Sequence, residues 1–180
     1  LDRIEQAGRT MESLIEDLLT LSKIGELRFQ PTWIDAREVL EQVRAELKPK
    51  LEEKNILLRL PSEWPVVLCD RTRLYQIFSN LVGNAIRHGS DGTPPEIRVQ
   101  ISHGQGEHVV SVHDNGRGIE TCYHERIFQA FQTVDRKDRE TSAGMGLAIV
   151  RKIAALHGGR AWVESRPGKG ASFHVSLSHD

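Results

Sequence analysis

Cysteine is scarce in these 180 residues: Cys69 and Cys122 stand far apart and form no C-x-x-C pair. That excludes a disulfide framework and the common zinc motifs, and a reducing, cytoplasmic setting is the expectation that follows. Long hydrophobic runs are missing too. No stretch approaches the roughly 20 apolar residues that cross a bilayer. Any membrane attachment is therefore expected from regions outside this sequence. Charge of one sign is also lacking: 24 basic residues face 25 acidic ones, a net charge of −1. This balance argues against bulk attraction to nucleic acid or to an anionic membrane. The first half is poor in two residue types. Of the 15 glycines, only Gly8 and Gly25 precede Gly83, and all eight histidines lie between His88 and His179. The chain opens on Leu1 inside an apolar repeat, without initiator methionine or signal sequence, and reads as a piece of a longer protein.

What is present fits a globular domain. Apolar residues make up 38% and charged residues 27%, and a chain of this length buries roughly 70% of its unfolded surface. Ile4, Ala7, Met11, Leu14, Leu18, Leu21 and Gly25 alternate spacings of three and four, the seam of a heptad helix about 37 Å long. Ile15 and Leu19 widen that seam toward a bundle, so the helix is expected to need helical partners. Leu27–Ile34 then reads as an edge strand interrupted by Pro31, and Asp35 as the cap of a helix to about Lys54. Ile56–Leu60 and Val66–Cys69 read as strands around a Pro61–Pro65 turn. Asp70 is expected to cap a helix to His88. Glu96–Ser102 and His108–His113 alternate like a hairpin. A short helix is expected over Cys122–Phe128, a mobile loop over 129–143, and a helix over Gly144–His157 stopped by Gly158 and Gly159. Arg160–Glu164 and Ala171–Ser178 close the pattern. The succession is α/β after a long amphipathic helix, without a regular β-α-β alternation.

Four segments carry chemistry. In the helix after Asp70, the stripe Leu74, Ile77, Phe78, Leu81, Val82, Ala85 and Ile86 faces inward. At about 100° per residue, Asn84 falls roughly 20° and Asn80 roughly 60° from Ile77, on one edge. Arg73, Gln76 and Arg87 continue that edge. Two carboxamides at i and i+4 can direct oxygens at one ligand, of the kind Mg²⁺ accepts; taken alone, two hydrogen-bonded asparagines explain them as well. Asp114-Asn115-Gly116-Arg117-Gly118-Ile119 follows the strand Val109–Val112. An aspartate there can accept from an exocyclic amine, and glycines let backbone approach a ring or phosphate; a plain turn is the alternative. Gly144-Met145-Gly146-Leu147 opens a helix whose first N–H groups suit an anion. It has neither the G-K-[ST] of a Walker loop nor G-x-G-x-x-G. Gly168-Lys169-Gly170 reads first as a tight turn.

The order Asn80…Asn84, Asp114-x-Gly-x-Gly, Phe128…Phe131, Gly144-x-Gly-Leu147, Gly168-x-Gly170 resembles the N, G1, F, G2 and G3 boxes of the sensor histidine kinase ATP-binding domain (HATPase_c, GHKL). The resemblance implies an α+β fold over 27–180, a Bergerat-type two-layer α/β sandwich with a mixed sheet packed on helices. Over 1–26 it implies the second helix of the dimerisation and phosphotransfer hairpin. It further implies ATP and Mg²⁺ as cofactors, with Asn84 on Mg²⁺ and Asn80 assisting. Asp114 would hold the adenine amine against Gly116, Gly118 and Ile119. Arg87 and His88 would lie beside phosphates and adenine. Gly144, Met145, Gly146 and Leu147 would lie at the lid hinge, and Ser172 would reach adenine through water. Phe128 and Phe131 would pack the base of a lid over 129–143.

The implied reaction moves the ATP γ-phosphoryl to a histidine and on to a response-regulator aspartate, in a homodimer built through the N-terminal helix and the missing partner of its hairpin. No nucleic-acid partner is implied. The resemblance has three gaps. Thr133 stands where a basic residue is usual, so the choice among Arg136, Lys137 and Arg139 is open. Thr141, Ser142 and Ala143 replace further glycines. No histidine precedes His88, so the phosphoacceptor is expected outside the chain, and the fragment is not expected to phosphorylate itself. A degenerate regulatory or dimerisation module without kinase activity is the alternative. A gyrase- or Hsp90-type ATPase needs a glutamate where Asn80 stands.

Overall fold

A computed structural model describes residues 8, 11–12, 15, 18–19, 21–22, 31–89, 94–104, 106–132 and 144–178. The described positions before 31 are helical, and Met11, Ile15, Leu18 and Leu19 are exposed, Met11 by 63%. Leu21 packs partly on the core, and its carbonyl accepts from the Lys152 ammonium. Ile4, Ala7, Leu14 and Gly25 lie outside the described residues, as do Leu27–Gln30 of the expected edge strand.

Strand β1 (Thr32–Asp35) leads directly into helix α1 (Ala36–Glu53), because Asp35 Oδ1 accepts from the Arg37 N–H at 2.8 Å and so caps the helix. The helix ends at Asn55, which takes a left-handed φ of 52°. Ile56 N then bonds Leu51 O and Asn55 N bonds Glu52 O, with Leu51 and Ile56 both buried, which is a Schellman closure. Strands β2 (Leu57–Arg59) and β3 (Val66–Cys69) follow, then α2 (Arg71–His88), capped by Asp70 Oδ1 on Arg73 N at 3.1 Å. All seven residues of the expected stripe on α2 are buried.

Strands β4 (Glu96–His103) and β5 (Glu107–Asp114) form the hairpin. Helix α3 (Gly146–Leu156) and strands β6 (Ala161–Ser165) and β7 (Ala171–Ser178) complete the chain. Five strands make one mixed sheet in the order β2-β4-β5-β7-β6, with β2 parallel to β4 and the other pairs antiparallel. Its inner face carries Ile97, Val99, Val110, Val112, Val163, Phe173, Val175 and Leu177, all in one buried cluster with the apolar stripes of α2 and α3. This is the expected two-layer α+β sandwich.

β2 and β3, the strands on either side of the Pro61–Pro65 turn, do not pair with each other: β2 joins β4, whereas β3 pairs antiparallel with β1 in a separate two-stranded sheet. Two prolines in the connection fix that bend, and Pro65 turns its carbonyl to Ala36 N. The expected short helix over Cys122–Phe128 is two 3-10 turns, Thr121–Tyr123 and Arg126–Phe128.

Three buried or half-buried histidines make internal hydrogen bonds, one between a helix end and β3 and two between neighbouring strands. His157 Nδ1 donates to Ile153 O at 2.9 Å, so its Nε2 accepts from the Cys69 thiol at 3.1 Å, and burial pushes that thiol up to about 12. On the outer sheet face, His174 bonds Ser111 Oγ at 2.8 Å and His113 bonds Ser172 Oγ at 2.7 Å. Trp162 stacks on His174, and the Arg160 guanidinium lies over Trp162. Burial is the main cause that lowers all three imidazoles below their ordinary 6.5; Glu164 opposes this at His113 and His174, while Arg98 adds to it at His113. A folded-state value below the unfolded one means that the unfolded chain takes protons first. Stability from these groups is therefore complete above about pH 6.5 and is lost as pH falls through it. Melting temperatures taken from about pH 7.5 down to about pH 5 are expected to drop; a flat profile would show that the imidazoles stay solvated.

Candidate functional site

The site forms where the C-terminal half of α2, the end of β5 and the start of α3 converge. Asp114 is the last residue of β5 and pairs with Ala171 of β7. Its Oδ1 accepts from Gly116 N at 3.0 Å and from Ala171 N at 3.3 Å. Both bonds use one oxygen, so they orient the carboxylate while Oδ2 takes no part in them. Burial raises the Asp114 carboxyl above its ordinary 3.8, and the two N–H donors offset part of that.

The loop after Asp114 lies on the end of α2. A Cβ on Gly116 would stand 2.5 Å from Gly89 Cα and 2.6 Å from His88 O, and a Cβ on Gly89 would stand 2.5 Å from Asp114 Cβ. Those approaches bring Asp114 to the helix that carries Asn80, Asn84, Arg87 and His88. His88 Nδ1 is 3.3 Å from an Arg117 guanidinium nitrogen, and Arg87 is exposed. Asn80 Nδ2 donates to Gln76 O at 2.8 Å, one turn back, which turns Oδ1 outward. That oxygen lies 2.5 Å from where a Gly146 side chain would begin. Asn84, one turn further on, is half-buried on the same edge. The two asparagines and the start of α3 thus share one corner. Met145, the N-cap residue of α3, provides no side-chain cap, so the first N–H groups of that helix remain for another acceptor.

The remaining wall comes from the turn between β6 and β7. Gly168 N bonds Arg117 O, and Cβ atoms on Gly118 or Gly170 would strike the Arg166 carbonyl and the Asp114 carbonyl. The turn that reads as plain in sequence is wedged against the Asp114 loop. Ile119 packs on the core and its N–H donates to Ser165 Oγ at 2.8 Å. Met145 is buried and Leu147 half-buried on the core. Gly144 O accepts from Phe131 N at 3.1 Å, which sets the start of α3 beside Phe131.

Two expected residues stand elsewhere. Ser172 is one register position from Ala171, so it lies on the outer sheet face with His113 and not beside Asp114. Phe128 packs on Phe173 as expected, but Phe131 is 58% exposed with φ of 64°, because that left-handed turn carries its N–H to Gly144 and the ring outward. Residues 133–143 of the expected lid, with Thr133, Arg136, Lys137, Arg139, Thr141, Ser142 and Ala143, lie outside the described residues. Sequence reasoning missed four contributors. These are Gly89, Ser165, Lys54, whose ammonium donates to Ile86 O at the end of α2, and Asn115, which bonds Pro94 O and Glu96 N. Asn115 had a signal in its D-N-G turn; the other three had none.

Residues 69–180 match the family described as histidine kinase-, DNA gyrase B-, and HSP90-like ATPase, and the chain belongs to that family. It is 36% identical to the methanogenesis regulatory histidine kinase FilI of Methanothrix harundinacea, over 98% of this chain and 20% of that protein. The chain is 38% identical to the phytochrome-like protein Cph1 of Synechocystis sp., over 93% of this chain and 22% of that protein. The crystal structure of full-length ShkA in complex with AMPPNP superposes with a TM-score of 0.82 at 31% identity, covering 95% of this chain and 36% of that one. The histidine kinase ThkA in complex with the response regulator protein TrrA gives 0.77 at 28%, covering 98% and 49%. The chain spans less than half the length of the curated relatives it matches, from 20% to 48%.

Proposed function

We propose that residues 27–180 are the ATP-binding catalytic domain of a sensor histidine kinase, and that residues 1–26 belong to the helical hairpin through which two copies pair. The observation that carries this is the corner where Asn80 Oδ1 meets Gly146 at the uncapped start of α3. It sets amide oxygens for a cation beside backbone donors for phosphate, with Asp114 held at the far side of α2's end. The donor set fits Mg²⁺, which takes few protein oxygens and keeps its waters; Asn84 would hold it and Asn80 would flank it. Bound there, the ion supplies neutralisation of phosphate charge.

This chain's residues do the rest by positioning. Asp114 Oδ2 accepts from the adenine amine, and Gly116 and Gly118 let the Asp114 loop close on the end of α2 and on the β6–β7 turn. The α3 N–H groups and Arg87 orient the phosphates toward the acceptor. The acceptor is a histidine supplied from outside residues 1–180, and a receiver-domain aspartate takes the group next. ShkA was solved with AMPPNP and ThkA with a response regulator, which supports both parts of the reading. The exposed Met11, Ile15, Leu18 and Leu19 suit a helical partner. No helix among the described residues is long and apolar enough to cross a membrane, and a cytoplasmic setting agrees with two free thiols.

Asn84→Ala tests the cation assignment. Nucleotide titrations with and without Mg²⁺ are expected to show a Mg²⁺ enhancement in the native chain that is lost in the variant. Equal enhancement in both assigns Asn84 a structural role only.

A further inference from the structure

Among the histidines that the nucleotide site leaves unused, His113 meets His174 and His103 meets His108, and the second pair has the spacing of a chelate. His103 ends β4, and His108 stands opposite it on β5 as its register partner at the hairpin tip. Their Nδ1 atoms are 3.3 Å apart, with ring centroids 4.8 Å apart and ring planes 47° apart. Two zinc–imidazole bonds of about 2.05 Å, opened at the tetrahedral angle, hold their nitrogens about 3.3 Å apart. A square-planar cis pair of similar bond length closes to about 2.9 Å. In the metal-free chain the two Nδ1 atoms share a hydrogen bond at that separation, so an ion would replace the shared proton with little ring movement as the donor ring changes to its Nε2–H tautomer, and neutral imidazole is a ligand Zn²⁺ favours.

The surroundings agree with an open site. His108 is buried and so held in place, while His103 is exposed and gives an ion access from solvent. Among the described residues no group of three His, Cys, Asp or Glu side chains is poised to hold a metal. The described residues therefore contribute two ligands, and water can supply others. That is an exchangeable arrangement, unlike the closed four-ligand structural sites. We propose that His103 and His108 form an exchangeable Zn²⁺ site at the end of the sheet remote from Asp114. Six residues of β5, roughly 20 Å, separate His108 from Asp114. The ion would staple β4 to β5 without touching nucleotide.

Zinc titration of the 180-residue chain, free of nucleotide and chelator, tests this by calorimetry and by the imidazole Cε1–H resonances. The expected result is about one Zn²⁺ per chain, shifts confined to His103 and His108, and a melting temperature that rises with Zn²⁺. His103→Asn removes one ligand from an exposed position and is expected to lower Zn²⁺ affinity at least about tenfold. His124→Asn, whose ring faces Ile119 O instead, is expected to leave that affinity unchanged. No uptake by the native chain at millimolar Zn²⁺, unaltered affinity in His103→Asn, or equal losses in both variants overturns the site.

Discussion

Replacing Asp114 with asparagine is expected to weaken ATP binding about ten- to hundredfold and, in the same protein, to raise the melting temperature. The first effect follows from charge. A hydrogen bond to a charged group contributes about 1.5–3 kcal/mol, and each 1.4 kcal/mol is about tenfold in affinity. In the variant an amide oxygen keeps the Gly116 and Ala171 N–H donors, so the NH₂ replaces Oδ2 and meets the adenine amine donor to donor. The second effect follows from burial. The Asp114 carboxyl is raised above its ordinary 3.8 mainly by desolvation. The native fold therefore loses stability as pH climbs from that value toward the raised one, and at neutral pH it carries a buried charge that the unfolded chain does not. Asparagine removes that charge. Calorimetric ATP titration and thermal melts on the same samples read both effects. Unchanged ATP affinity would sink the adenine assignment, and a lowered melting temperature would show that the charge stabilises the loop.

The turn glycines give the second large effect, as a contrast between neighbours. Gly168 and Gly170 have the same left-handed φ, 73° and 72°. A side chain at Gly168 meets nothing within 4 Å, whereas one at Gly170 lands on the Asp114 carbonyl and 2.9 Å from Asn115 Cα. Gly168→Ala is thus expected to cost only the backbone term, roughly 1–2 kcal/mol. Gly170→Ala adds a backbone clash that no rotamer relieves and is expected to cost about 4 kcal/mol or more. It also displaces the loop that orients Asp114, so ATP affinity falls with stability. Denaturant midpoints separate the two variants. Equal costs would mean that the turn is not wedged against the loop.

The parts of this site that were legible in the sequence are those set by local rules. Asp70 with a stripe of period 3.6 fixes α2 and therefore the edge that Asn80 and Asn84 share. Alternation over Val109–Val112 fixes a strand that delivers Asp114 at its end. The parts that were not legible depend on register and on contacts distant in sequence. A single register step puts Ser172 behind the sheet. A left-handed turn faces Phe131 outward, although its spacing from Phe128 suggests core. β2 and β3 read alike as short apolar strands, and only their partners, β4 and β1, separate them. Gly89 and Ser165 matter because β5 and the β6–β7 turn fold onto them, 25 and 46 residues from Asp114 and Ile119 respectively.

The central claim is that one corner of this chain holds ATP between Asp114 and the asparagines of α2. A crystal structure of the chain with Mg²⁺ and a non-hydrolysable ATP analogue tests it most directly. The predicted result places the adenine amine in hydrogen-bond contact with Asp114 Oδ2, the cation on the Asn84 oxygen and phosphate at the first N–H groups of α3. Nucleotide bound elsewhere, or a cation that shares no oxygen with Asn84 or Asn80, would contradict it.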